Sequence, residues 1–106
     1  MLLVDFLGVG KESAITASDI VAALNLGDTR VVSQMAEDAR RAGIPLCASC
    51  GSNPGYYIAA DVDEFAAYVC SLMRRLRELT KTLNACLNTL DKMSGQERID
   101  LWDEAV

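Results

Sequence analysis

The four cysteines, Cys47, Cys50, Cys70 and Cys86, are the side chains whose type and spacing most directly invite chemistry. Cys47-Ala-Ser-Cys50 has the separation at which two thiolates grip one metal ion or close one redox disulfide. A zinc site needs two further ligands, yet the chain has no histidine, and Cys70 and Cys86 fall sixteen residues apart on one helical segment. The thiols therefore read as small buried or half-buried side chains, and no metal or cofactor is expected. There is no phosphate loop, and no serine or cysteine has a recognisable base nearby in the sequence. The chain is not expected to be an enzyme.

The remaining chemistry is recognition by charge. Arg74, Arg75, Arg77 and Lys81 form the one basic cluster, suited either to a solvated helix face or to phosphate contact. Against them stands a net charge of −5. Residues 11 to 60 hold four bases (Lys11, Arg30, Arg40, Arg41) and five acids (Glu12, Asp19, Asp28, Glu37, Asp38). A nucleic-acid-binding domain ordinarily carries a basic footprint, so this segment departs from that norm.

These side chains have to be positioned by a small number of elements. At 106 residues the chain reads as one domain, or one domain with an appendage. No apolar run approaches the length of a membrane span, and MLLVDFLGVGK lacks the basic start and small-residue cleavage site of a signal peptide. A cytoplasmic location with no membrane partner is the expectation. Leu2, Leu3, Phe6 and Leu7 have helical spacing, ended by Gly8 and Gly10. Lys11 to Ile15 reads as a short extended link in which Ala14 and Ile15 pair as a stub strand. Thr16 to Asp19 has the residue types of a capping box, opening a helix that carries Ile20, Val21, Leu24 and Leu26 and stops at Gly27.

Asp28 caps the next helix, Thr29 to Ala42. Val32, Met35, Ala36 and Ala39 form its buried stripe, and Arg30, Gln34, Glu37 and Arg41 point the other way with Ser33 beside them. Gly43 closes the helix and Pro45 prevents its resumption. Ile44 to Ala48 and Tyr56 to Ile58 read as strands around a turn at Cys50 to Pro54. Two helices, a tight turn and a hairpin make the plan of a winged helix-turn-helix. The fold class is α+β, mainly α, with a winged helix-turn-helix over residues 1–60.

Asp61 caps a last helix, 61–93, and 94–106 forms an acidic tail with Ile99, Leu101 and Trp102. The apolar positions Phe65, Val69, Leu72, Leu76, Leu79, Leu83, Cys86, Leu90 and Met93 alternate in steps of four and three. That is a coiled-coil-like seam. The 29 residues from Phe65 to Met93 span about 44 Å at 1.5 Å each, too long to bury on a small domain. A homodimer through Val69 to Met93 is the expected consequence; folding back on the first helix or the tail is the alternative.

The runs Lys11-Glu-Ser-Ala-Ile-Thr16, Asp28-Thr-Arg30, Arg40-Arg-Ala-Gly-Ile-Pro-Leu-Cys47 and Gly55-Tyr-Tyr-Ile-Ala59 resemble small winged-helix proteins of bacteriophages and prophages. More distantly they resemble the winged helix-turn-helix of bacterial repressors such as the biotin repressor. The resemblance covers residues 1 to 75 and implies DNA binding in phage transcription or replication. By position, Thr29, Arg30, Ser33 and Gln34 match the exposed start of a recognition helix, and Lys11 with the hairpin tip, including Ser52 and Asn53, matches backbone-contacting loops. On that reading Gln34 pairs with adenine and Arg30 with guanine, while Lys11, Arg41, Arg74 and Arg75 meet phosphates of double-stranded DNA. The second expectation is an acidic protein-interaction module, such as a phage inhibitor or adaptor, whose partner is a basic host or phage protein that handles nucleic acid.

Overall fold

The computed structural model describes residues 3–51 and 54–95. The order of elements is α1 (Leu3–Phe6), a single 3₁₀ turn (Lys11–Ser13), α2 (Ala17–Leu24), α3 (Thr29–Arg41), β1 (Leu46–Ser49), β2 (Gly55–Ile58) and α4 (Val62–Ser94). The chain is mainly helical with one small antiparallel sheet. It divides into two compact units, Met1–Cys70 and Ser71–Val106.

In the first unit the helix ends follow from local hydrogen bonding. The Thr16 hydroxyl accepts the Asp19 N–H at 3.2 Å and starts α2. The helix closes at Asn25, which takes the left-handed φ of 55°, and the Leu26 N–H donates back to the Val21 carbonyl at 3.1 Å. Asparagine tolerates that conformation, so α2 stops earlier than the expected Gly27, and Leu26 packs on the core from the connection instead. Asp28 Oδ1 accepts the Arg30 N–H at 2.9 Å and opens α3. Gly43, at φ 93°, closes it: its N–H donates to Arg40 O and that of Ile44 to Ala39 O, at 3.0 and 3.1 Å. This pair of bonds is a Schellman motif, which needs a left-handed residue at Gly43.

β1 and β2 pair in the register Leu46 with Ile58, Cys47 with Tyr57, Ala48 with Tyr56 and Ser49 with Gly55. The other edge of β2 is also bonded. Ile15 and Tyr56 exchange both backbone bonds, at 3.0 and 2.8 Å, as the stub strand predicts. Ile58 is held by Gly8 O and the Gly10 N–H at 2.9 and 2.8 Å. Two expectations are corrected here. The first helix ends at Phe6, because residues 8–10 leave it to bond β2. The link from Lys11 is not extended until Ile15: Ser13 and Ala14 donate to the carbonyls three residues back and wind a 3₁₀ turn.

Leu3, Leu7, Ile20, Val32, Ala36, Ala39 and Leu46 form the main core, where α1, α2, α3 and β1 meet. Ala36 and Ala39 are short enough for α3 to pack closely against its neighbours. Cys47, Tyr57 and Tyr68 form a second cluster, with Phe65 half-buried beside them. Arg40 joins the two clusters: its Nε donates to the Leu46 carbonyl at 2.8 Å and its guanidinium lies 5.0 Å from the Tyr68 ring centre. The start of α4 is fixed by Asp61 Oδ1, which accepts the Glu64 N–H at 2.8 Å. Glu64 in turn accepts from the Ala60 and Lys11 backbone, at 2.9 and 3.3 Å.

In the second unit α4 continues to Ser94, and most of its seam is exposed, with Leu83 half-buried. Leu76 and Leu79 are 65% and 66% exposed and Met93 is 81% exposed. The expected tail, with Ile99, Leu101 and Trp102, lies outside the described residues.

Candidate nucleic-acid interface

The outer face of α3 is the best-formed candidate surface. The buried stripe of Val32, Ala36 and Ala39 orients the helix. That leaves Arg30, Gln34, Glu37 and Arg41 exposed with Ser33 beside them, as the helical period predicts, and Thr29 exposed as well. The Schellman closure at Gly43 then returns the chain as the hairpin, so β2 comes to lie beside the same helix. The contact is direct: the Ser33 and Tyr56 hydroxyls stand 3.3 Å apart.

The two candidate base-reading side chains are both held by acids, one at the cap of α3 and one along it. Arg30 donates through Nε and an Nη to Asp28 Oδ2, at 3.2 and 3.0 Å. Gln34 Nε2 donates to Asp38 Oδ1 at 2.9 Å. The backbone N–H of Arg30, and then its guanidinium, hold the Asp28 carboxyl below the usual carboxylate range. Arg30 and Arg41 are thus balanced by Asp28, Glu37 and Asp38, and the face is mixed in charge. The i, i+4 spacing of Gln34 and Asp38 is legible in the sequence. Nothing local signals the Ser33–Tyr56 contact, which joins residues 23 apart.

The other candidates fall elsewhere. Lys11 is exposed at the 3₁₀ turn. Arg74 and Arg75 are exposed on the part of α4 in the second unit, with the seam residues Leu72 to Met93. Val69, at 38% exposed, is the last seam position of the first unit. Ser52 and Asn53 lie outside the described residues. The cysteine pair is divided: Cys47 is fully buried and Cys50 exposed. Burial pushes the Cys47 thiol up, away from the thiolate that metal or redox chemistry uses. Among the described residues no three His, Cys, Asp or Glu side chains gather to hold a metal, and no helix is long and apolar enough to cross a membrane.

Comparison with family models, with curated proteins and with solved structures gives no match for this chain.

Proposed function

We propose that the chain is a winged helix-turn-helix DNA-binding protein of phage type, acting in transcription or replication as a homodimer joined through α4. The observation that carries this reading is the exposed face of α3 with β2 locked beside it by Ser33 and Tyr56. The element order supports it too. A three-helix unit whose hairpin follows the third helix, with a stub at Ile15 bonded to β2, is the plan of that fold. On this reading α3 enters the major groove. Arg30 reads guanine once it exchanges Asp28 for the base edge, Gln34 reads adenine, and Lys11 and Arg41 meet phosphates. The uncovered seam of α4 supports the dimer.

The test is an anisotropy titration of labelled duplex, random and enriched by selection, at about 50 and 200 mM salt. Binding that weakens over that interval, with a shallow slope because few phosphates are met, is expected. No binding at the lower salt ends the reading.

A second reading is favoured by one observation: Asp28 and Asp38 already satisfy Arg30 and Gln34. On that reading the acidic face of the first unit engages a basic host or phage protein that handles nucleic acid. Such a complex dissolves with salt and forms equally well after Gln34→Ala, whereas DNA reading does not survive that change.

A further inference from the structure

The positive charge of the chain is concentrated where the fewest acids answer it. The first unit holds four bases and nine acids. Two of those bases are already engaged: Arg30 pairs with Asp28, while Arg40 bonds the Leu46 carbonyl and lies over the Tyr68 ring. In the second unit, residues 71–95 hold five bases (Arg74, Arg75, Arg77, Lys81 and Lys92) against two acids, Glu78 and Asp91. Lys81 pairs with Glu78 at 3.1 Å, both side chains being largely exposed. Among the described residues, neither Arg74 nor Arg77 has an ion-pair partner.

These cations do not all share a face. Arg74, Arg77 and Lys81 stand at i, i+3 and i+7, and at about 100° per residue they fall in one stripe about 60° wide. All three are exposed. The stripe lies about 160° around α4 from the centre of Leu72, Leu76, Leu79 and Leu83, so it is a separate surface from the apolar seam. Glu78 lies at its edge and no acid lies within it. Arg75 falls on the other side of the helix, about 70° from the seam centre.

We propose that the stripe of Arg74, Arg77 and Lys81 binds the phosphate backbone of double-stranded DNA without regard to base sequence. The inference rests on the DNA-binding reading above and adds the face of α4 that takes part: Arg75 leaves the set, and Arg77 and Lys81 join it. Charge and length both fit. From Arg74 to Lys81 the helix rises about 10.5 Å at 1.5 Å per residue, and a DNA strand presents a phosphate about every 3.4 Å of duplex axis. The stripe therefore spans about three phosphates for its three cations. The two guanidinium groups offer forked donors that suit phosphate oxygens, and Lys81 gives up only a screened surface pair. A bilayer fits less well. With the seam in the acyl boundary, the stripe stands on the far side of a helix about 10–12 Å thick, away from the headgroups. Together with Lys11 and Arg41, the contacts stay below the roughly six to ten of strongly salt-dependent binders, so the slope remains shallow.

Anisotropy titration of labelled random duplex with the full chain, at about 50 and 200 mM salt, tests the stripe. The wild type is compared with Arg77→Gln, with Arg75→Gln and with the triple variant Arg74→Gln, Arg77→Gln, Lys81→Gln. Glutamine keeps the helix propensity, and far-ultraviolet circular dichroism checks that α4 is intact. Each phosphate contact removed lowers the salt slope by about 0.9. Over that salt interval the triple variant should lose about 40-fold less affinity than the wild type, and Arg77→Gln about 3-fold less. Arg75→Gln should match the wild type. Equal effects of Arg75→Gln and Arg77→Gln show a response to net charge alone and overturn the face. A triple variant with the wild-type slope overturns the inference while DNA binding stands. A wild type that prefers enriched duplex no more than random duplex, yet loses slope in the triple variant, overturns base reading by α3 and supports the stripe. Vesicles of phosphatidylserine and phosphatidylcholine that bind the wild type more tightly than duplex does, or poly-L-glutamate that displaces duplex equally well per charge, overturn the choice of DNA phosphate. No duplex binding at the lower salt overturns both the stripe and the reading it rests on.

Discussion

Gly55→Ala is expected to unfold the first unit far more readily than the same change at Gly43, although both glycines have positive φ, 138° and 93°. The left-handed penalty, about 1–2 kcal/mol for a residue with a Cβ, applies to both. So does the lower entropy of alanine in the unfolded chain, which offsets up to about 1 kcal/mol of it. The two sites differ in space. A Cβ on Gly43 meets nothing within 4 Å, whereas one on Gly55 lies 2.5 Å from the Ile15 carbonyl carbon and oxygen and 2.9 Å from its nitrogen. These are backbone atoms and cannot rotate away.

Relief requires β2 to part from residue 15, and that breaks the two Ile15–Tyr56 bonds. At about 1 kcal/mol per bond the additional loss is about 2 kcal/mol. A domain of this size melts about 4–8 °C lower for each kcal/mol, so Gly55→Ala should melt about 8–16 °C below Gly43→Ala. Near-ultraviolet circular dichroism of Tyr56, Tyr57 and Tyr68 is the appropriate readout, because α4 dominates the far-ultraviolet signal. Melting curves that coincide to within about 3 °C, under 1 kcal/mol on that scale, would refute the close approach of β2 and residue 15.

Three further outcomes are expected. Arg40→Met keeps the aliphatic stem but removes the bond to the Leu46 carbonyl and the charge on the Tyr68 ring, and should destabilise the first unit by about 2 kcal/mol in urea. Burial pushes the Tyr57 phenol up to about 12 from 10.0. The native state therefore holds a proton that the unfolded state loses between about pH 10 and 12, and stability present below pH 10 falls across that window. Tyr57→Phe should flatten the fall measured by urea titration at each pH, leaving the smaller contribution of Cys47, whose thiol is also raised. On the proposed DNA-binding reading, Asp28→Asn keeps a residue that caps helices well while freeing the Arg30 guanidinium, so duplex affinity in the salt titration should rise severalfold with the melt unchanged.

The parts of the fold that were legible in the sequence are those governed by bonds between near neighbours. Thr16, Asp28 and Asp61 each cap the helix expected of them, because a side-chain oxygen reaches an amide two or three residues on. Gly43 and Pro45 mark the end of α3 for equally local reasons, and the 3.6-residue period of Val32, Ala36 and Ala39 orients the face. Asn25 was missed because glycine is the commoner left-handed terminator and Gly27 stood two residues beyond. The parallel bridge of Val9 with Ile58 could not be read at all, and the stub at Ile15 was legible as a strand but not its approach to Gly55. They join segments about 40 or more residues apart, and such contacts leave no periodic trace in either segment.

The candidate surface follows the same division. The direction in which Arg30 and Gln34 point comes from the period, but their partners come from detailed geometry. Asp28 divides its work between its two oxygens: Oδ1 takes the backbone N–H of Arg30, and Oδ2 takes the guanidinium. On the proposed DNA-binding reading, Arg30 can therefore swing to a guanine edge without uncapping α3. Its side chain is 90% exposed, so the bond it gives up is a screened surface pair. Gln34 keeps its carbonyl oxygen and its second amide hydrogen outside the bond to Asp38, so on the same reading it has an acceptor and a donor for an adenine edge without giving that bond up. On that reading discrimination by α3 includes, at Arg30, an exchange of an intramolecular bond for an intermolecular one. On the proposed reading, binding through this face is expected to be modest per copy, and two copies in the proposed dimer would bind more tightly than one.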